Sequence, residues 1–308
     1  MPVRIPTAPI QTAQDPAVLG PETTTLRLGL PKGRMQEGVL RLLGDAGISV
    51  SMPSRGYRPS LSLPNVEAKL LKPQSIIEML DAGSRDLGFA GADWVVELSA
   101  RVVEVFDTGM DLVRVVAAAP RSLLNADGTL PNRPLVIASE LERLSKRWIA
   151  TRDRDDRFVR SYGATEVFPP EDADCIIDLV SSGATLEANN LQVVDELMRS
   201  STRLYASEAA WADPAKRLAI EDFATLLRSV LDARLRVMVE LNVNQSALDA
   251  VVRELPCMRQ PTISPLHGGA GYAVKAAVAR EIVPRLIPQL KALGGTDIVI
   301  TNIAQVVP

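Results

Sequence analysis

The sequence predicts an α/β protein with a mostly parallel sheet, followed by a smaller ferredoxin-like α+β module. Three observations carry this. From residue 26 to about 229, short apolar runs alternate with helix-period segments. That β-turn-α rhythm belongs to a parallel sheet with helices on both faces. Residues 229–308 change rhythm to β-α-β-β-α-β, the split-βαβ order. The chain has 308 residues, which suits two or three domains at roughly 100–200 residues each. The α/β part alone is large enough for two lobes with a cleft between them.

Leu26–Leu30 is an apolar strand, and Pro31-Lys-Gly-Arg34 is its outgoing turn. Val39, Leu42, Leu43 and Ala46 recur at i, i+3, i+4 and i+7, one face of a helix that Gly47 stops. Val66–Leu71 is a strand. Ser75-Ile-Ile-Glu78 has capping-box spacing and opens a helix ending near Gly83. Asp86–Ala90 is a strand, with Gly91-Ala-Asp-Trp94 as its outgoing loop. Leu112–Ala119 and Leu135–Ala138 are further strands, the second followed by a capping box at Ser139-Glu-Leu-Glu142. The strand Cys175–Val180 feeds the loop Ser181–Thr185, and a helix runs from Leu186 to about Met198. Thr202–Ala206 is a strand and Phe223–Ser229 a helix, where the boundary falls. In the last module Arg236–Val243, Thr262–Leu266, Tyr272–Val278 and Asp297–Ile303 are strands, while Ser246–Leu255 and Glu281–Leu293 are helices.

Composition narrows the function. A formal charge of −3 argues against nucleic acid as the main partner. No apolar run approaches the ~20 residues of a membrane span. Cys175 and Cys257 are far apart and lack metal-ligand spacing, which points to a reducing cytoplasm. The single histidine, His267, removes a His-based zinc site and a Ser-His-Asp triad, and gives a Cys-His pair little support. Residues 1–24 have no apolar core of a signal peptide and only one arginine, Arg4, against Asp15 and Glu22. They read as a disordered tail.

The most informative segment is Asp174–Leu191. A strand ends near Asp178, and a loop of small residues enters a helix. Small side chains let backbone N–H groups converge on an anion at a helix N-terminus. Ser181, Ser182 and Thr185 add hydroxyls around Gly183 and Ala184, and Asp178 can accept from ribose hydroxyls. The plainer reading is an ordinary βα turn with Thr185 as N-cap. After the first strand, Lys32, Gly33 and Arg34 place two cations beside a glycine turn, suited to pyrophosphate or to plain solvated charge. Arg55 and Arg58, around Gly56-Tyr57, make a weaker case of the same kind. Lys72 follows a strand end, where open α/β sheets place ligand contacts.

Leu30-Pro-Lys-Gly-Arg34, Asp86–Trp94, Gly163-Ala-Thr-Glu166 and Asp178–Leu191 resemble the ATP phosphoribosyltransferase family in order and spacing. Pro261–Leu266 and Leu290–Gly294 resemble the regulatory module of its long form. The resemblance implies a two-lobed catalytic part of periplasmic-binding-protein type and an ACT-like histidine-binding domain over 229–308. Lobe I would comprise 25–113 and 203–228, and lobe II 114–202. ATP and phosphoribosyl pyrophosphate (PRPP) would be condensed in the cleft, with Mg²⁺ bound mainly through substrate, in the first step of histidine biosynthesis. The resemblance gives Ser181–Thr185 to the PRPP 5′-phosphate. Asp178 and Glu166 fall to ribose or adenine, and Lys32, Gly33, Arg34, Arg55, Lys72 and Asp93 to ATP or pyrophosphate. L-Histidine would inhibit through Glu240 and Thr262, in a dimer or hexamer. The family often has Arg, then Asp three residues on, where this chain has Lys72 and Ser75. It often has Tyr-Pro where this chain has Leu141-Glu142.

Two other functions fit the same elements: a two-lobed solute-binding protein without catalysis, and a silent regulatory paralogue. The missing secretion signal and the extra module weigh against the first, the intact loop and Lys32/Arg34 against the second. His267, in a Pro/Gly loop, reads as exposed. Trp94 reads as packing, Arg152–Arg157 as solvated surface charge and Cys175 as a buried strand residue.

Overall fold

The structure is a computed structural model that describes residues 24–53 and 56–307. The tail expected over residues 1–24 lies outside the described residues except for Thr24, which is buried. The chain opens with β1 (Leu26–Pro31), α1 (Arg34–Asp45) and a small hairpin, β2 (Val50–Ser51) with β3 (Ser60–Leu61). Then follow β4 (Val66–Leu71), α2 (Pro73–Asp81), β5 (Leu87–Gly91) and α3 (Ala92–Leu98). The long strand β6 (Val102–Pro120) leads to β7 (Val136–Ser139), α4 (Glu142–Ala150) and β8 (Arg157–Arg160). Next are β9 (Cys175–Val180), α5 (Ala184–Ala188), a second long strand β10 (Leu191–Ser207), α6 (Glu208–Ala212) and α7 (Pro214–Arg234). The last part holds β11 (Arg236–Val243), α8 (Leu248–Glu254), β12 (Thr262–Pro265), β13 (Tyr272–Ala279), α9 (Val283–Ala292) and β14 (Thr296–Asn302).

The main sheet has eight strands in the order β4-β1-β5-β10-β6-β9-β7-β8. It is mixed, not mostly parallel. β4, β1 and β5 form one parallel unit, and β9, β7 and β8 another. Between them β6 and β10 pair antiparallel along almost their whole length. The helix expected from Leu186 to Met198 is therefore wrong beyond Ala188. Asn190 takes a left-handed backbone, φ 55°, and turns the chain out of α5 into β10. Bulges between Val193 and Asp195 and between Glu196 and Met198 break the period-2 pattern that would have marked this strand. The strand expected over Leu112–Ala119 is the second half of β6, which bends through Gly109 and Asp111, both at positive φ. Gly91-Ala-Asp-Trp94 is not a loop: β5 passes straight into α3.

Helix ends are satisfied differently from the sequence reading. Neither expected capping box forms. Lys72 is the cap residue of α2, with Pro73 at its first position, so Ser75 lies inside the helix. At α4 the first N–H groups are taken from outside: Glu97 of α3 accepts from Arg143 and Leu144, both at 3.0 Å. Ser139 instead donates to the Ile177 carbonyl at 2.6 Å and accepts from the Leu141 N–H at 2.9 Å. Side-chain caps appear where none was expected. Ser207 caps α6, and Asp213 caps α7 by accepting from Ala215 and Lys216 at 2.9 and 3.1 Å. α7 extends well beyond the expected Phe223–Ser229 and buries Ile220, Phe223, Leu227 and Val230 against β1, β4 and α1.

The charged run Arg152–Arg157 is only partly solvated. The Asp156 side chain is covered, accepts from Arg152 Nε at 2.6 Å and from the Leu135 N–H at 2.8 Å, and Arg152 stacks on Trp148. Trp94 packs between two apolar clusters, Cys175 is buried in its strand, and His267 is exposed. Beyond α7 the four-stranded antiparallel sheet runs β12-β13-β11-β14, with α8 and α9 packed on one face through Val251, Leu286 and Leu290. This is the ferredoxin-like order expected from the sequence.

The caps give a direct test. Asp213→Ala should cost about 1 kcal/mol in urea unfolding, because it strips two N–H groups of their acceptor. Ser75→Ala, which removes no cap, should cost under about 0.5 kcal/mol.

Candidate active site

One cavity of about 350 Å³ is lined by Arg34, Val113, Glu166, Asp178, the loop Ser181–Thr185 and residues around it. Its floor is the end of β9. The turn that follows hinges on Gly183, at φ 87°, a conformation that strains any residue with a Cβ. Gly183 is also the cap residue of α5, so the reading of Thr185 as N-cap does not hold. The cap residue Gly183 has no side chain to offer, and the first helical N–H, that of Ala184, donates to the Ser182 hydroxyl at 3.4 Å. Ser181, Ser182 and Thr185 are exposed.

Asp178 accepts from the Leu179 N–H at 2.7 Å. Burial pushes its carboxyl up to about 6, and the negative charges of Glu166 and Glu140 add to the shift. Glu140 was not singled out from the sequence. Its signal was there, since it follows β7 at the carboxyl end of a parallel strand, where such sheets place ligand contacts.

Arg34 begins α1 and reaches the cavity from the other parallel unit. Gly33 before it sits at φ 76°, ψ −142°, a region open essentially to glycine alone. Lys32 is outside the cavity lining. Its ammonium lies 3.3 Å from the centre of the Tyr57 ring, and its N–H donates to the Leu71 carbonyl at 2.8 Å. Lys72, exposed, comes next after Leu71, so both lysines stand at the carboxyl ends of the paired strands β1 and β4. Arg55 lies outside the described residues. Asp93 is not brought to the cavity: it is 1% exposed and its carboxylate accepts from the Ser200 hydroxyl of β10. Burial raises its pKa, while Arg34 opposes the rise. Glu240 and Thr262 lie in the four-stranded sheet.

A family model described as ATP phosphoribosyltransferase matches residues 72–229, and one for the C-terminal domain of the same family matches 233–305. The chain belongs to the ATP phosphoribosyltransferase family. Curated relatives of that name are alike over nearly their full length. The protein of Chlorobaculum parvum is 37% identical over 89% of this chain and 94% of its own. That of Pelotomaculum thermopropionicum is 37% identical over 92% and 99%. The chain is accordingly an enzyme of the phosphoribosyltransferase class. Among solved structures, the ATP phosphoribosyl transferase (HisG:HisZ) complex from Thermotoga maritima aligns with a TM-score of 0.60 at 24% identity. It covers 68% of this chain and 99% of that one, a likeness of fold.

Among the described residues no helix is long and apolar enough to cross a membrane, and no group of three or more His, Cys, Asp or Glu could hold a metal by itself.

Asp178 has a signed stability consequence. Its carboxyl is raised in the folded chain, so stability falls as pH climbs from about 4 to about 6 and stays lowered above that. Asp178→Asn should therefore stabilise the fold at pH 7 by on the order of 1 kcal/mol after discounting for partial exposure, and so raise the melting temperature. The gain should vanish near pH 4. A lower melting temperature for Asp178→Asn at pH 7 would contradict this reading.

Proposed function

We propose that the chain condenses ATP with PRPP to give N1-(5-phosphoribosyl)-ATP and pyrophosphate, the first step of histidine biosynthesis, in the cytoplasm. The observation that carries this is the meeting of Arg34, Asp178, Glu166 and the Ser181–Thr185 loop in one cavity. The loop N–H groups and hydroxyls hold the 5′-phosphate. Asp178 accepts from the ribose hydroxyls, and Glu166 contacts ribose or adenine. Lys32, Gly33 and Arg34 hold the departing pyrophosphate, and Lys72 and Arg55 serve the nucleotide phosphates. The buried Asp93 acts behind Arg34.

The adenine N1 lone pair attacks the anomeric carbon as the bond to the pyrophosphate oxygen breaks, with inversion. N1 needs no base to act as nucleophile, so the residues contribute placement and charge stabilisation. Asp178 and Glu166 offset positive charge developing on the sugar, and Arg34 offsets the negative charge on the leaving group. Mg²⁺ fits this donor set: the uncompensated carboxylates Asp178 and Glu166 can supply one or two ligands, the rest coming from substrate oxygens. When bound, it neutralises pyrophosphate charge.

Pyrophosphate release should need both ATP and PRPP. Gly183→Val should lower kcat/KM for PRPP by about a hundredfold or more, in line with loss of anion-holding donors, at unchanged circular dichroism. Unchanged PRPP affinity in that variant would remove the phosphate role of the loop. The kcat/KM for PRPP should also fall below about pH 6 as Asp178 gains its proton.

In the four-stranded sheet Glu240 pairs with Lys275 at 2.7 Å, and Thr262 stands opposite Lys275 on its other side. A cavity of about 530 Å³ beside them is lined by Thr262, Lys275 and Met258 among others. We assign L-histidine inhibition to this row, in a homo-oligomer that exchanges between dimer and hexamer, with 229–308 as the regulatory domain. The support is the exposed polar row beside a cavity, and the coupling would be about 1–3 kcal/mol. Glu240→Gln and Thr262→Val should each raise the histidine inhibition constant without altering KM for PRPP. Histidine competing directly with PRPP, with both variants inhibited as before, would refute the assignment.

A further inference from the structure

Helix α1 joins two distant parts of the molecule. Arg34, its first residue, lines the reaction cavity. Asp45, its last, stands 12 residues along, about 18 Å away at the rise of an α-helix. Two contacts converge there. The Arg234 guanidinium pairs with the Asp45 carboxylate at 2.9 Å, and the Gln305 side-chain amide donates to the Asp45 carbonyl at 3.3 Å. Among the described residues no other member of α1 makes a side-chain hydrogen bond or an ion pair.

Both partners are carried by the last module. Arg234 closes α7, and Gln305 follows β14. Arg280, between β13 and α9, grips the linker into the module. Its backbone N–H donates to the Leu235 carbonyl at 2.8 Å and its Nε to the Arg234 carbonyl at 3.1 Å. Its Nη2 donates to the Arg236 carbonyl at 3.3 Å and to Asn302 at 3.1 Å. The Val306 N–H donates to the Ser229 carbonyl at 2.9 Å, which lays the tail along α7.

The body of α1 is held otherwise. Val39, Leu42 and Leu43 are buried in the core shared with β1 and α7. Apolar burial is non-directional. It fixes how closely the helix lies on the sheet and leaves its place along its own axis to polar contacts at the ends. At the Arg34 end no side chain caps the helix, and Gly33 before it has none to give. The axial position is therefore set at Asp45, where Gln305 also takes a carbonyl that a helix end leaves without an internal partner.

We propose that Arg234 and Gln305, neither of which lines the cavity, are positioning residues for Arg34: by fixing the far end of α1 they fix where its first residue stands toward the departing pyrophosphate. The proposal rests on the role given to Arg34 in the reaction above. It makes the last module part of the geometry of the cavity. Small displacements matter there, since a 1 Å misplacement can cost about 10²-fold in rate.

The test uses the full chain and pyrophosphate release from ATP and PRPP. Arg234→Gln with Gln305→Ala should lower kcat about tenfold, less than a full 1 Å misplacement can cost. Arg234→Lys, which keeps the charge, should retain most of the activity that Arg234→Gln loses. In a chain carrying Arg34→Gln the same pair of substitutions should change kcat by under about twofold, because residues that act through one another are coupled. The melting temperature should fall equally in both backgrounds, which separates positioning from plain stability. Equal loss of kcat in both backgrounds, or no loss in the otherwise unaltered chain, would overturn the proposal. An Arg34→Gln chain with unaltered kcat would instead remove the role of Arg34 in the reaction, and the proposal with it.

Discussion

The pairing of β6 with β10 is the constraint on which the rest of the molecule depends. These two strands occupy the centre of the eight-stranded sheet and, among the described residues, are the one strand pairing that joins its two parallel units. Where they cross between the units the ladder is irregular, with register shifts around Thr202, and side chains take over. The Thr108 hydroxyl donates to the Thr202 carbonyl at 2.5 Å, the Thr202 hydroxyl donates to Asp111 at 2.6 Å, and Ser201 donates to Asp107 at 2.7 Å. Buried hydroxyls at such a point keep the backbone satisfied through a bend that an ideal ladder would not tolerate. Arg34 and the Ser181–Thr185 loop reach one cavity because this irregular ladder holds their strands at that separation.

Electrostatics at the cavity run against stability. Asp178 is buried beside other carboxylates, with one N–H to hold it, and Gly33 and Gly183 keep the chain in conformations that cost any other residue. Local choices that fight the fold are expected where a ligand completes the structure. The opposite design is seen at Asp86, which is more deeply buried but gripped by Arg27 and Lys216. Two aspartates, one at the entry to β5 and one in β9, thus have contrary roles: Asp86 fastens the fold, while Asp178 is left in need of a partner.

Much of this was legible in the sequence. Strands β1, β4, β5, β9 and β11 are short, apolar and bounded by glycine or polar turns, so period and punctuation agree, and the ferredoxin-like order followed from them. The Ser181–Thr185 loop was legible because small residues at a strand-to-helix junction have few other uses. What escaped was non-local. β10 carries polar residues and bulges because its pairing with β6 stabilises it, and no window of residues 191–198 displays that. Capping boxes were misplaced for a similar reason. The spacing at Ser139–Glu142 is right, but Glu97, more than forty residues away, reaches the same N–H groups first. The buried position of Asp93 escaped too, since Ser200 lies 107 residues further on.

Glu97 has a mechanical consequence. It sits on α3, packed beside the strands of one parallel unit, and caps α4, which follows β7 in the other. The end of a nine-residue helix is therefore completed only while the two units keep their present spacing. Any rocking that draws α3 from α4 would leave two amide groups unanswered, at about 1–2 kcal/mol in total. The carboxylate thus works as a detent: it sets a preferred angle between the halves and gives departures from it a short, steep restoring force. The cavity between the units inherits that angle although Glu97 is not among its lining residues.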